Sequence, residues 1–172
     1  MRQLLLTLSV LLLFVGCTKT IEKVNIIKVE PKSKISNMIL KIPISFKDNG
    51  YQNLKTIVIK TQTEFDNLIN NIKKEKNWDK KENFLTIIKE TKINFDTDNL
   101  LIYTFSEDKS TVVTAVNVPL SNENNIIIKI GKDKTKEISN KIVYYALAYK
   151  VKKSVKNIIF DDGTKKVTIP NN

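Results

Sequence analysis

The sequence predicts an α+β domain: a single, mostly antiparallel β-sheet with one or two helices packed on one side. Three observations point there. Short β-branched runs recur along the chain, and one stretch switches from a period of two to 3.6. Two later runs, Leu100–Phe105 and Ile142–Val151, are apolar on both faces, as central strands are. With 172 residues, 41% of them hydrophobic, the chain holds enough apolar material for one core.

The N-terminus comes first in chain order. Arg2 supplies a positive start, and Leu4–Val15 is a twelve-residue run with ten apolar members. That fits the apolar stretch of an export signal and falls short of the ~20 residues a spanning helix needs. Leu13-Phe14-Val15-Gly16-Cys17 then resembles a bacterial lipobox, with a small residue directly before the cysteine and Phe14 in place of the usual Leu. The resemblance implies a lipoprotein signal peptide over 1–16, cleavage before Cys17, and acylation of Cys17 with a diacylglyceryl thioether and an N-acyl chain. Thr18 is not the Asp that commonly holds lipoproteins at the inner membrane. In a host with two membranes, the expected address is the outer membrane, facing the periplasm. Residues 17–37 read as the lipidated cysteine and a lysine-rich tether with one strand at Val24–Val29. Twenty extended residues reach ~66 Å.

The α+β domain is expected over 38–172. Met38–Phe46 is strand-like, with Pro43 marking an edge or a bulge. Asp48-Asn49-Gly50 signals a turn and Leu54–Lys60 a second strand. In Thr63–Lys76, Phe65, Leu68, Ile69 and Ile72 form one helical stripe. Thr63 is placed to cap it, with Glu64 and Asp66 in its first turn and Lys73, Lys74 and Lys76 in its last. Lys80–Thr91 predicts a second short helix, with an irregular segment as the alternative. Thr111–Val118, Asn124–Ile130, Val155–Phe160 and Lys165–Ile169 complete the strands. Asp161-Asp162-Gly163-Thr164 marks a hairpin between the last two.

This order of elements resembles a known family. TIVIK (56–60) runs into the helix TEFDNLINNI (63–72). INFDTDNLLIYTF (93–105) opens on Asn-Phe-Asp, and two strands and a late hairpin arm (142–162) follow. Over roughly residues 54–163 the pattern resembles the PrcB-like C-terminal domain of protease-complex accessory subunits. The family's Gly-Gly-Tyr-like segment is replaced here by Ser110-Thr111-Val112-Val113-Thr114. The resemblance implies a non-catalytic, protein-binding accessory module of the cell envelope and transfers no catalytic residue.

Composition excludes several chemistries. Without histidine there is no Ser-His-Asp or Cys-His catalysis. A sole cysteine and four glycines leave no disulfide framework, no His/Cys metal cage and no glycine-rich phosphate loop. No cofactor is expected. The pairs Asp96/Asp98, Glu107/Asp108 and Asp161/Asp162 lie in predicted turns, where Asp serves caps and Asx turns rather than glycoside cleavage. Asp96, Asp98 and Asn99 offer clustered oxygens for calcium, without the glycine and twelfth-position acid of an EF-type loop. Ser106, Ser110 and Ser154 have lysines nearby, as chance dictates among 28 lysines. The net charge of +11 rests almost wholly on lysine, since Arg2 is the only arginine. With 19 Asn and 24 Ile, it matches an A/T-rich coding bias. The clusters at lysines 73, 74, 76, 80 and 81 and at lysines 150, 152, 153 and 156 read as solvated surface or as attraction to anionic envelope material. The basic-surface alternative is an envelope lipoprotein that binds anionic glycan or lipid, or inhibits a hydrolase. Export argues against nucleic acid. The expected partners are the membrane, through acylated Cys17, and an envelope protein. Candidate partner-binding residues are Trp78, in a polar loop, and Tyr145 and Tyr149, which share one strand face. The competing readings are a cap over the helix end for Trp78 and core for the tyrosines.

Overall fold

A computed structural model describes residues 37–172 except 123, 137, 138 and 140. At 115 and 117–122 only the backbone is described. The expected signal peptide, Cys17 and the tether up to residue 36, with its Val24–Val29 strand, lie outside the described residues.

The described residues form eight strands and two α-helices. In chain order they are β1 (Ile39–Ile42), β2 (Ile57–Ile59), α1 (Gln62–Lys74), α2 (Lys81–Glu90), β3 (Asp98–Asp108), β4 (Thr111–Asn122), β5 (Asn125–Lys134), β6 (Ile142–Lys152), β7 (Asn157–Asp161) and β8 (Lys166–Pro170). Pro43 ends β1, having no N–H to continue the ladder. The Asp48-Asn49-Gly50 turn opens a short 3-10 turn, Asn49–Asn53, capped by the Asp48 side chain.

The α+β class, the mostly antiparallel pairing and the helices on one side all hold. The single sheet is corrected to two. One sheet has the order β1-β6-β3-β2, the other β4-β5-β7-β8. All pairings are antiparallel except β5–β7. The reason lies in β3 and β6, which are apolar on both faces and need two covers. Leu100, Ile102, Ala146 and Ala148 face the helices and pack with Ile69, Ile72, Phe84, Leu85 and Ile88. Leu101, Tyr103, Tyr145, Leu147, Tyr149 and Val151 face the second sheet and pack with Ile126, Ile128, Ile158 and Phe160. The described residues thus form three layers: helices, first sheet, second sheet. The two middle strands of the second sheet, β5 and β7, alternate buried and partly exposed residues because only one of their faces is covered.

Helix α1 starts two residues earlier than its sequence signal. Thr61, not Thr63, is the N-cap, and its hydroxyl accepts from the Glu64 N–H at 3.2 Å. Lys73 and Lys74 occupy the last turn, and Lys76 lies beyond it. Thr61→Ala should lower the free energy of unfolding by about 1 kcal/mol, read as a shift in urea midpoint, whereas Thr63→Ala should leave it almost unchanged. Lys80–Thr91 is helical as α2, one residue shorter at each end.

Candidate functional site

β2 has three residues and pairs only with Leu100–Ile102 of β3. Beyond Ile102, β3 runs on for six residues with β6 on one side and, among the described residues, no strand on the other. The gap opens a cleft of about 510 Å³ between the two sheets. Residues 103–107 of β3 form one wall, with Ile130 and Lys132 of β5, Phe160 of β7, Asp162 and Lys165 of the hairpin, and Val167 of β8 opposite. Thr56 guards the end nearest β2, its hydroxyl within 2.9 Å of the Thr104 N–H.

The floor is a ladder of rings. Tyr103 stacks on Phe160 at 3.7 Å and 9°, and Phe105 stacks on Tyr145 at 5.0 Å and 8°. Tyr103 and Phe105 themselves lie 5.6 Å apart. β-strand alternation puts residues 103 and 105 on the same face, so the ladder follows from the sequence once the second sheet is in place. Burial pushes the Tyr103 phenol above its ordinary range, although Lys132 draws it partly back.

One charge cluster sits in the cleft. The Lys132 ammonium bonds Glu107 at 2.7 Å and also bonds Asp162. Burial alone would lower Lys132, but the hydrogen bonds it donates to Asp162 and Glu107 outweigh this and hold it above the usual lysine range. Asp162 is held well below the usual carboxylate range, first by Lys132 and then by the Lys165 and Thr164 N–H groups of its turn. Lys132→Met should therefore cost about 2 kcal/mol of stability, because two carboxylates are left facing each other half-desolvated. The sign with pH follows from Asp162. Its depressed folded-state value adds stability above ~3.9, the unfolded value, and that stability drains away as pH falls toward the folded value. Urea titrations from neutral pH to below 4 should show a loss in wild type that is flatter in Lys132→Met.

The acidic pairs do not act as pairs. Asp98 bonds Lys152 at 2.9 Å and Asn99 points the other way, donating to the Asn171 carbonyl at 2.7 Å. The oxygens considered for calcium are therefore not brought together. Asp108 is tied to Lys134 at 2.8 Å, with Ser110 and Thr111 donating to it. Asp161 accepts from the Gly163 N–H at 3.0 Å. The structure instead unites members of two different pairs, Glu107 and Asp162, on Lys132. Lys132 is no candidate by residue type alone, yet a signal exists in its position: it continues the inward alternation Ile126, Ile128, Ile130, so it faces inward where the core ends. Among the serines near lysines, Ser110 donates to Asp108, and Ser106 is exposed on the rim.

The three aromatic anchors lie inside the fold. Trp78 is 6% exposed, and its Nε1 donates to Asp48 Oδ2 at 3.0 Å. Its ring meets Tyr51 at 5.2 Å and Phe84 at 5.0 Å. Tyr145 and Tyr149 share one face as expected, but that face is the core between the sheets. Tyr149 is wholly buried, and its hydroxyl has no hydrogen-bond partner among the described residues. These three are core side chains rather than exposed anchors, because Trp78 turns inward while Lys76, Asn77, Asp79 and Lys80 around it stay exposed, and the β6 face carrying Tyr145 and Tyr149 is covered by the second sheet.

No helix among the described residues is long and apolar enough to cross a membrane. Comparisons with protein-family models, with curated proteins and with solved structures find no match to this chain.

Proposed function

We propose that this chain is a non-catalytic, lipid-anchored protein of the cell envelope, acting as a protein-binding accessory module and resembling the PrcB-like domains in role. Lys132 carries the non-catalytic part of this reading. An ammonium clamped between Glu107 and Asp162 stays protonated and keeps Asp162 ionised, so neither Lys132 nor Asp162 is poised to exchange a proton near neutral pH. The cleft they line has an aromatic floor, which favours binding over reaction. The lipid anchor rests on Cys17 and the apolar run before it.

The test is chemical crosslinking in intact cells, followed by mass spectrometry of the solubilised complex. A stoichiometric protein partner supports the reading. Recovery of only lipid and abundant porins, or hydrolase activity abolished by substitution of a single Ser or Asp, overturns it.

A second reading is favoured by one patch. Lys47, Lys80, Lys109 and Lys141 are exposed around a shallow hollow beside Ile142, which is 51% exposed. Lysines with an exposed apolar residue suit an anionic glycan or lipid surface. Binding there would weaken steeply with salt, because exposed charges are screened within ~8 Å at physiological ionic strength.

A further inference from the structure

The hydrogen bonds fix which way the main chain of β3 points. Ala146 donates its N–H to the Phe46 carbonyl at 2.9 Å, and the Tyr144 carbonyl accepts from the Asp48 N–H at 3.1 Å. Both residues therefore turn their backbone groups away from β3. Their partners across the ladder are Thr104 and Ser106. In an antiparallel pair, two facing residues either both bond each other or both point outward. Thr104 and Ser106 must point outward, away from β6. Thr104 agrees, since its N–H and carbonyl both meet the Thr56 hydroxyl, at 2.9 and 3.3 Å. Ser106 lies two residues further, where β2 has ended. Among the described residues nothing pairs with its N–H or carbonyl, and its side chain is exposed.

We propose that this open edge of β3 takes up an extended segment of a partner polypeptide as an added strand, in line with β2 and alongside Thr104–Asp108. The proposal rests on the accessory-module reading and names the kind of partner it needs. Three observations fix the chemistry of the segment. The unpaired backbone groups of Ser106 call for a main chain, which a lipid or glycan does not supply in strand register. The cleft beside the edge is floored by Tyr103 and Phe105 and walled by Val167, so side chains on one face of the added strand are apolar. Lys165 is exposed at the side of the cleft and is not ion-paired among the described residues, so the segment is acidic where it passes Lys165.

The experiment pans a phage-displayed library of random dodecapeptides against the full chain in detergent micelles, then measures the selected peptides in solution. Selected peptides should be acidic with alternating apolar residues. They should bind wild type and Ser106→Ala alike, because alanine keeps the N–H, and bind Ser106→Pro at least about tenfold more weakly. Proline is tolerated there in the unbound fold because the lost N–H faced outward, and thermal melting checks this. A second readout needs no variant: hydrogen exchange at the Ser106 amide should slow about tenfold or more on adding peptide, while the Phe105 and Glu107 amides stay unchanged. No enriched peptide, equal binding to Ser106→Pro, or an unprotected Ser106 amide overturns the proposal. So does displacement of the peptide by anionic vesicles with no effect of Ser106→Pro. A partner crosslinked in cells at a surface away from β3 would overturn the edge site and leave the accessory role standing, whereas the absence of any partner removes the role itself.

Discussion

Trp78→Ala should lower the free energy of unfolding by about 3–5 kcal/mol, the largest single-residue effect on stability in this fold. The residue fills the space between Tyr51, Phe84 and the backbone of Gly50, and it anchors Asp48. Asp48 in turn caps the 3-10 turn and accepts from the Lys80 N–H at 3.2 Å, so one carboxylate ties the turn to the start of α2. Gly50→Ala should cost about 1–3 kcal/mol by the opposite route. A Cβ at Gly50 would overlap the ring carbons Cγ and Cδ1 of Trp78 and sit 2.5 Å from its Cβ, which is fixed to the backbone and cannot swing aside. The two changes should not add. Removing the indole ends the overlap with Cγ and Cδ1 but leaves the residue-78 Cβ at 2.5 Å, so Gly50→Ala should cost less in the Trp78→Ala background than in wild type without becoming neutral. Urea midpoints of the four proteins in this cycle decide the matter, and strict additivity would mean that the glycine is held by something other than the indole.

Local features were legible in the sequence where several signals coincided on a few residues. The stripe Phe65, Leu68, Ile69 and Ile72, with acids before and lysines after, gave α1. The cap slipped by two residues because Thr61 and Thr63 are the same residue type, and only backbone geometry separates them. Strands β3 and β6 announced themselves through apolar residues on both faces. The second sheet that covers one of those faces is not legible, because nothing local in Ile126–Ile130 or Ile158–Phe160 says which sheet a strand joins. Trp78 illustrates the same limit. Its neighbours Glu75, Lys76, Asn77, Asp79 and Lys80 are polar, and its main partner, Asp48, lies thirty residues earlier. The cleft is least legible of all, since it exists because β2 is short, and Leu54–Lys60 reads as a longer strand than the three residues that pair.

On the lipoprotein reading, Cys17→Ser should convert a membrane-bound protein into a soluble or unprocessed one without unfolding the domain. Cys17 is the sole cysteine, so no disulfide is lost. Each buried methylene contributes ~0.8 kcal/mol of membrane affinity, and two or more acyl chains anchor stably where one does not. The lysines would leave only a weak association that salt removes. Membrane fractionation with labelled palmitate, wild type against Cys17→Ser in low and high salt, reads the difference. Absence of label in the wild type would sink the assignment, as would a correctly cleaved mutant that stays in a salt-resistant pellet.

The single parallel pairing, β5 with β7, has a consequence for how the chain comes together. Between them the chain leaves the second sheet, crosses to the middle of the first as β6, and returns. Neither sheet is therefore contiguous in sequence, and no cut between elements separates one from the other. The C-terminus reinforces this, with the Asn171 side chain donating to the carbonyls of Lys152 and Val155 at 2.9 Å. Such a fold has no half that can form first and wait for the other. It should melt in one cooperative step and refold slowly for its size, limited by the search for distant strand pairings. During synthesis β6 arrives only after β4 and β5 of the second sheet have been made, so β3 must wait for the strand that pairs along its whole length until some forty residues later.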